Sequence, residues 1–186
     1  MIGDKVAIFE SGTRGTSAIS NGAGDPGGVS YGKYQLSTNT GTLQDFLDNT
    51  VYKSSFIGLT PGTHDFNVKW EDMATDPGFQ KAEHDYIERT HYKPVMAYAV
   101  TLGVDEYEPS YQEAIWSMSV QHGKAKQIVG NAVDMVIDHY HPIDLVNAFY
   151  DARTEYVKGI HLPPGTLQSL LNRYVSERKV VIGMIQ

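Results

Sequence analysis

Between Phe9 and Leu36 the chain reads FESGTRGTSAISNGAGDPGGVSYGKYQL, a run with little helix-forming material in a sequence otherwise dominated by helical spacing. Seven glycines fall between Gly12 and Gly32. Glycine permits positive φ angles and lets backbone come close to a bound polymer, so the flanking elements must be arranged around this loop. Glu10 closes the apolar run Val6-Ala7-Ile8-Phe9, and its carboxyl is expected where a core-packing helix gives way to the loop. Asp25 lies fifteen positions later, inside Gly24-Asp25-Pro26-Gly27-Gly28. A carboxyl against apolar neighbours tends to keep its proton, whereas one on a hydrated loop stays ionised. Two acids in unlike settings can divide acid and base work, the division that glycoside hydrolysis needs. Val29 to Leu36 is expected as a short hairpin or extended edge that offers Ser30, Tyr31, Tyr34 and Gln35 to sugar hydroxyls. The same composition also suits a plain surface loop with solvated charges.

The rest of the chain reads as helices. Asp4 can cap a first short helix ending near Glu10-Ser11-Gly12, and Thr40 to Leu47 places Leu43, Phe46 and Leu47 at i, i+3, i+4. Gly58 to Asp65 is a turn by composition, Asn67 to Ala74 a short helix, and Pro77 the first turn of a helix running to about Tyr92, with Phe79, Ala82 and Tyr86 along its stripe. Pro94 should kink or restart that helix, and Gly103 should end it. Pro109 opens a helix whose Tyr111, Ala114, Ile115 and Met118 commit one face to a core. Further helices are expected from Lys124 to about Tyr140, from Pro142 with Leu145, Val146, Phe149 and Tyr150 inward, and from Thr166 as cap of a last one carrying Leu167, Leu170, Leu171 and Tyr174. No repeat, low-complexity tract or linker interrupts the chain. The reading is one domain over residues 1–186, mainly α with a small β-hairpin near the active site.

Composition narrows the function. A chain of 186 residues is long enough to bury a sizeable core. Without cysteine, disulfides and thiolate metal sites drop out. The N-terminus Met1-Ile2-Gly3-Asp4-Lys5 lacks a basic region followed by a long apolar one, and no run approaches the ~20 apolar residues of a membrane span. Stable membrane insertion is therefore not expected. A formal charge of −7 argues against broad nucleic-acid binding, which needs a basic surface.

The order Glu10-Ser11, then Asp25-Pro26-Gly27-Gly28-x-Ser30-Tyr31-Gly32-x-Tyr34-Gln35, resembles the lysozyme-like domain found at the C-terminus of some type VI secretion spike proteins and as stand-alone phage endolysins. It looks more distantly like lytic transglycosylases, where a catalytic Glu followed by Ser precedes a Gly-x-x-Gly-apolar-Met-Gln segment. Downstream, Trp116 to Gly123, Tyr150-Asp151-Ala152-Arg153 and Asn172-Arg173-Tyr174 also match, with poorly matched ground between Asn49 and Tyr107. The resemblance implies a lysozyme/chitosanase type of fold and a muramidase cutting peptidoglycan glycan strands as a monomer without cofactor. It implies Glu10 as general acid and Asp25 as second carboxylate, with Ser11, Gln121 and His122 joining the hairpin residues at the substrate. Because the chain begins with its own Met and carries no spike or wall-binding module, the expected setting is a phage endolysin made in the host cytoplasm and released by a holin-type route, with delivery by a secretion spike or phage tail as the alternative. Inversion, with a wide gap between the two acids, is expected.

Rival readings have weaker sequence support. His139 and His141 lie two apart and His84 and His91 seven apart, which is poor spacing for a metal on a helix. A serine triad built on Ser11 or Ser30 lacks the G-x-S-x-G context. Tyr31, Tyr34 and Trp116 can stack on sugars, though Trp116 suits a core as well, and His122 can simply end its helix with Gly123 as left-handed cap. A lytic transglycosylase would use Glu10 alone; chitosan or chitin is another possible substrate, and a silent glycan-binding component would need neither acid.

Overall fold

The computed structural model describes residues 1–9, 15–22, 27–136, 141–163 and 165–185, and these fall into two compact units. One lies within residues 10–87; the other joins Met1–Phe9 to Glu88–Gln186.

In the first unit, strand β1 (Ser30–Tyr31) pairs antiparallel with β2 (Leu36–Ser37), with Ser30 opposite Ser37 and Tyr31 opposite Leu36. This is the expected hairpin. Residues 18–20 run along its other edge: Ser20 donates its amide to Ser30 O at 2.8 Å, and Gly32 donates to Ala18 O at 2.7 Å. Helices α1 (Thr42–Asp48), α2 (His64–Met73) and α3 (Pro77–Ile87) follow, with a 3₁₀ segment at Val51–Phe56. Leu43, Phe46 and Leu47 are all buried, as their spacing predicts. α2 starts earlier than expected because Thr63 Oγ1 accepts the Phe66 amide and so caps it. Trp70 is the hub of the core, its ring centre 5.0 Å from that of Phe79, 5.2 Å from Tyr31 and 6.1 Å from Phe46, all tilted or edge-on. Such aromatic pairs add about 0.5–1.5 kcal/mol each beyond simple burial. The indole N–H donates to Thr16 O at 2.8 Å, tying the loop to that core.

In the second unit, a π-helical turn at Glu88–Tyr92 leads into α4 (Lys93–Thr101), so the restart expected at Pro94 is present. Then come α5 (Pro109–Gln121), α6 (Ala125–Asp134), α7 (Pro142–Lys158) and α8 (Thr166–Ile182). The sequence predicts one buried face for α5. Instead it is buried nearly all round, because α4, α6, α7 and α8 all pack on it. Trp116 is fully buried beside Tyr92 and is a core residue, which removes it as a sugar platform. The helix expected to reach Tyr140 ends at Asp134, and residues 137–140, with His139, lie outside the described ones. On α8, Tyr174, Glu177 and Val181 are buried, while Leu167, Leu170 and Leu171 are only half-buried; the cap is Gly165 and not Thr166.

The short helix expected at the chain's start is a set of turns leading into a 3₁₀ segment, Ala7–Phe9, and its expected end near Glu10–Gly12 lies outside the described residues. Glu113 of α5 explains this: its carboxyl accepts amides from Gly3 at 2.8 Å, Lys5 at 3.0 Å and Val6 at 3.2 Å. Gly3 is required here, since at its φ of +85° a Cβ would lie 2.4 Å from the Trp116 ring. Glu113→Ala should therefore lower stability by about 3 kcal/mol in urea unfolding, with Glu113→Gln losing roughly half as much because one acceptor oxygen remains. Equal stability of all three proteins would show that the turn does not depend on this carboxyl.

Candidate active site

Glu10, Ser11 and Asp25 lie outside the described residues, and so does the separation of the two acids. The structure describes the segments that lead to and from them. Phe9, the last residue before Glu10, ends the turn held by Glu113 in one unit. Gly27, two positions after Asp25, is fixed in the other: its carbonyl accepts from Asn39 N at 3.0 Å and Ser37 Oγ at 2.6 Å.

The hairpin distributes its predicted site residues unevenly. Tyr31 is fully buried; its hydroxyl donates to Asn67 Oδ1 at 2.6 Å and accepts from Gly62 N at 2.7 Å, and burial pushes its pKa up. It braces the hairpin from below and presents no ring face to a sugar. Ser30 is also buried, with its amide donated to Ser20 Oγ. Tyr34 is half-buried, its hydroxyl 2.8 Å from His84 Nδ1 and its ring 5.2 Å from Lys33 Nζ. Gln35 is exposed with φ +54°, and its amide side chain donates to Gly32 O at 2.9 Å. That positive φ in a residue with a Cβ is uncommon and costs free energy. Beneath the turn lies an acid that the sequence reading passed over, Glu83 of α3, completely buried. Its one sequence signal was an acid set i+4 from Phe79 and i−3 from Tyr86, on a stripe that is otherwise apolar.

In the second unit Gln121 and His122, at the end of α5, are gripped by a buried network. Arg153 donates to Gln121 Oε1, to His122 Nε2 at 3.3 Å, to Ser117 Oγ at 3.0 Å and to Glu177 Oε1 at 2.9 Å. Tyr174 OH donates to Gln121 Oε1 at 3.1 Å and lies 3.0 Å from His122 Nε2. An Nε2 that accepts from a guanidinium is unprotonated, so His122 is neutral with its proton on Nδ1. Burial first, then the Arg153 and Arg173 charges, push its pKa down to about 3. Burial raises the Glu177 carboxyl, but Arg153 and Arg173 together outweigh this and leave it below the ordinary range. His122 is the extended C-cap of α5, and Gly123 is not among the positive-φ glycines, so the left-handed cap expected there is absent. His122 also lines a concave cavity of about 520 Å³ with Thr90, His91, Ser119, Lys124 and Gln127. Among the described residues no set of three His, Cys, Asp or Glu converges to hold a metal.

Arg153→Ala would leave Glu177 charged and buried without its closest partner, and unfolding should become easier by about 3–5 kcal/mol. Acid has the same direction of effect. His122 binds its proton more readily unfolded than folded, so stability should fall as pH drops from about 6.5 toward 3. His122→Gln should flatten that loss; an unchanged pH profile would place the acid sensitivity elsewhere.

The residues just described fall within a known family pattern. The model of the type VI secretion system spike protein VgrG3-like C-terminal family matches residues 2–178. The type VI secretion system spike protein VgrG3 of Vibrio cholerae serotype O1 (strain ATCC 39315 / El Tor Inaba N16961) is 32% identical over 182 residues, covering 95% of this chain; the chain spans only 18% of that relative's length. The crystal structure of native chitosanase from Bacillus subtilis MY002 superposes with a TM-score of 0.63 at 14% identity, covering 97% of this chain and 84% of that one, which shows a shared lysozyme-like fold. The chain belongs to the VgrG3-like C-terminal family of type VI secretion spike proteins.

Proposed function

We propose that residues 1–186 act as one catalytic domain that hydrolyses the glycan strand of peptidoglycan, with Glu10 as general acid and Asp25 as the carboxylate that activates water. The observation that carries this reading is the pair of acids fifteen positions apart on the glycine-rich loop, inside the segment that matches the family. The framework supports it from both sides: Glu113 holds the turn before Glu10, and Ser37 and Asn39 hold Gly27 after Asp25. Tyr34 and Gln35 stand on the outer part of the hairpin as donors to sugar hydroxyls, with Ser11, Gln121 and His122 as further contacts. Ser30 and Tyr31, both buried, shape the hairpin from inside and do not meet the sugar. A chitosanase with this fold acts, by its name, on chitosan, an amino-sugar polymer. Family membership favours delivery by a secretion spike over the endolysin setting. No helix of the described residues is long and apolar enough to cross a membrane.

General acid catalysis requires a proton on Glu10 that Gln cannot supply. Glu10→Gln should abolish lysis of purified wall substrate with unchanged circular dichroism; near-normal lysis would remove Glu10 from the mechanism. Asp25→Asn should be equally severe in a hydrolase. Full activity in that variant, together with anhydro products, would decide for a lytic transglycosylase. With Asp25 activating water, the carboxyls should stand roughly 6.5–9.5 Å apart in the substrate-ready state, and the first product should show an inverted anomer by NMR. Retained configuration would instead assign Asp25 as nucleophile.

A further inference from the structure

We propose that Glu83 is a positioning residue, a proton-linked latch whose buried carboxyl holds the Gly32–Gln35 turn from beneath and whose ionisation loosens it. This rests on the glycan-cleaving reading only for its consequence at the substrate.

Glu83 Oε1 accepts the Tyr34 amide at 3.2 Å, and the Lys33 amide is also directed at the carboxyl. The approach is so close that a Cβ on Gly32 would lie 2.0 Å from Oε1 and 3.1 Å from the Trp70 ring. Gly32 has φ +82°, so the turn depends on glycine twice, for its conformation and for the space beneath it. The next residue on α3, His84, holds the same turn by a side chain, 2.8 Å from Tyr34 OH. Two consecutive helical residues thus grip one half-buried turn, one through the backbone and one through the tyrosine. Among the described residues, the charged and titratable groups around Glu83 are Lys33 and Tyr34 of the turn, with His84 of its own helix bonded to Tyr34; α2 contributes the apolar Trp70, and residues 15–17 contribute the Thr16 hydroxyl. Thr16 favours the charged carboxyl, yet among the described residues Oε2 has no partner in hydrogen-bonding geometry. Among the described residues no cation pairs with the acid as Arg153 pairs with Glu177. A carboxylate in this position keeps its two amide donors but loses the hydration it would have in an open turn.

Burial accordingly pushes the Glu83 pKa up to about 7, against the amides of Tyr34 and Lys33, the Thr16 hydroxyl and the Lys33 charge, which pull it down. The closed turn therefore binds a proton that the open turn releases more readily. Its stabilisation is complete below the ordinary carboxylate range and is lost as pH rises toward 7.

The direct test is amide hydrogen exchange of Lys33 and Tyr34, expressed as protection relative to the intrinsic rate at each pH and read without substrate. From an ordinary value of 4.5 and a closed value of about 7, protection should fall roughly seventyfold between about pH 5 and about pH 8, while α2 amides fall less. Glu83→Gln keeps an acceptor and has no charge to form, so its protection should stay flat over that range; Glu83→Ala should be unprotected throughout. Flat protection in the native protein, or a Glu83→Gln profile with the native slope, would overturn the latch. The Glu83 carboxyl carbon, followed by NMR in the native protein, provides a test without any variant. A midpoint near 7 supports the latch, and one near 4.5 refutes it. KM for wall fragments should rise with pH in the native protein and not in Glu83→Gln. A protein that cleaves no glycan but shows the exchange profile refutes the proposed reaction and keeps the latch.

Discussion

A carboxyl removed from water must find partners or keep its proton, and three buried acids among the described residues meet that demand in different ways. Glu177 is held by two guanidiniums, and its pKa falls. Glu113 accepts three backbone amides, with no cation among the described residues in contact, and burial leaves it raised. Glu83 has two amides and a distant lysine, and sits at about 7. Each ties a helix to a segment that the loop-rich composition alone would leave undetermined: Glu113 ties α5 to the chain's start, Glu83 ties α3 to the hairpin, and Glu177 ties α8 to Arg153 and through it to Gln121.

The tasks of the two units follow from these anchors. One presents a hairpin braced by Tyr31 and an aromatic core around Trp70, so that Tyr34 and Gln35 are held from below. The other fixes Gln121 and His122 at the end of a helix whose sides are nearly all covered. Hydrogen bonds from a charged guanidinium are stronger and more directional than neutral ones. Arg153 therefore holds Gln121 in one orientation.

Helices with strong apolar spacing were legible in the sequence, α1 and α7 above all, because burial of Leu43, Phe46 and Leu47 or of Leu145, Val146, Phe149 and Tyr150 needs only periodicity. The hairpin was legible from its glycine and aromatic content. What the spacing hid was the second face of α5, since Ser110, Ser117 and Ser119 read as polar while each buries a hydroxyl with a partner. It also hid Glu83 and Glu113, because a single acid on an apolar stripe looks like a solvated charge until its partners, distant in sequence, are known. Tyr31 looked like a sugar contact for the complementary reason: an aromatic beside a glycine turn does not reveal which side of the hairpin it faces. The family resemblance could be read in segments from about Phe9 to Tyr174 because it rests on residue identity and not on periodicity, and it matches the family found over residues 2–178.

Mass spectrometry of fragments released from purified peptidoglycan tests the proposed hydrolysis of glycan most directly. Hydrolysis with water supplied at Asp25 predicts fragments ending in reducing sugars. Anhydro ends, or no released fragments at all, would contradict it.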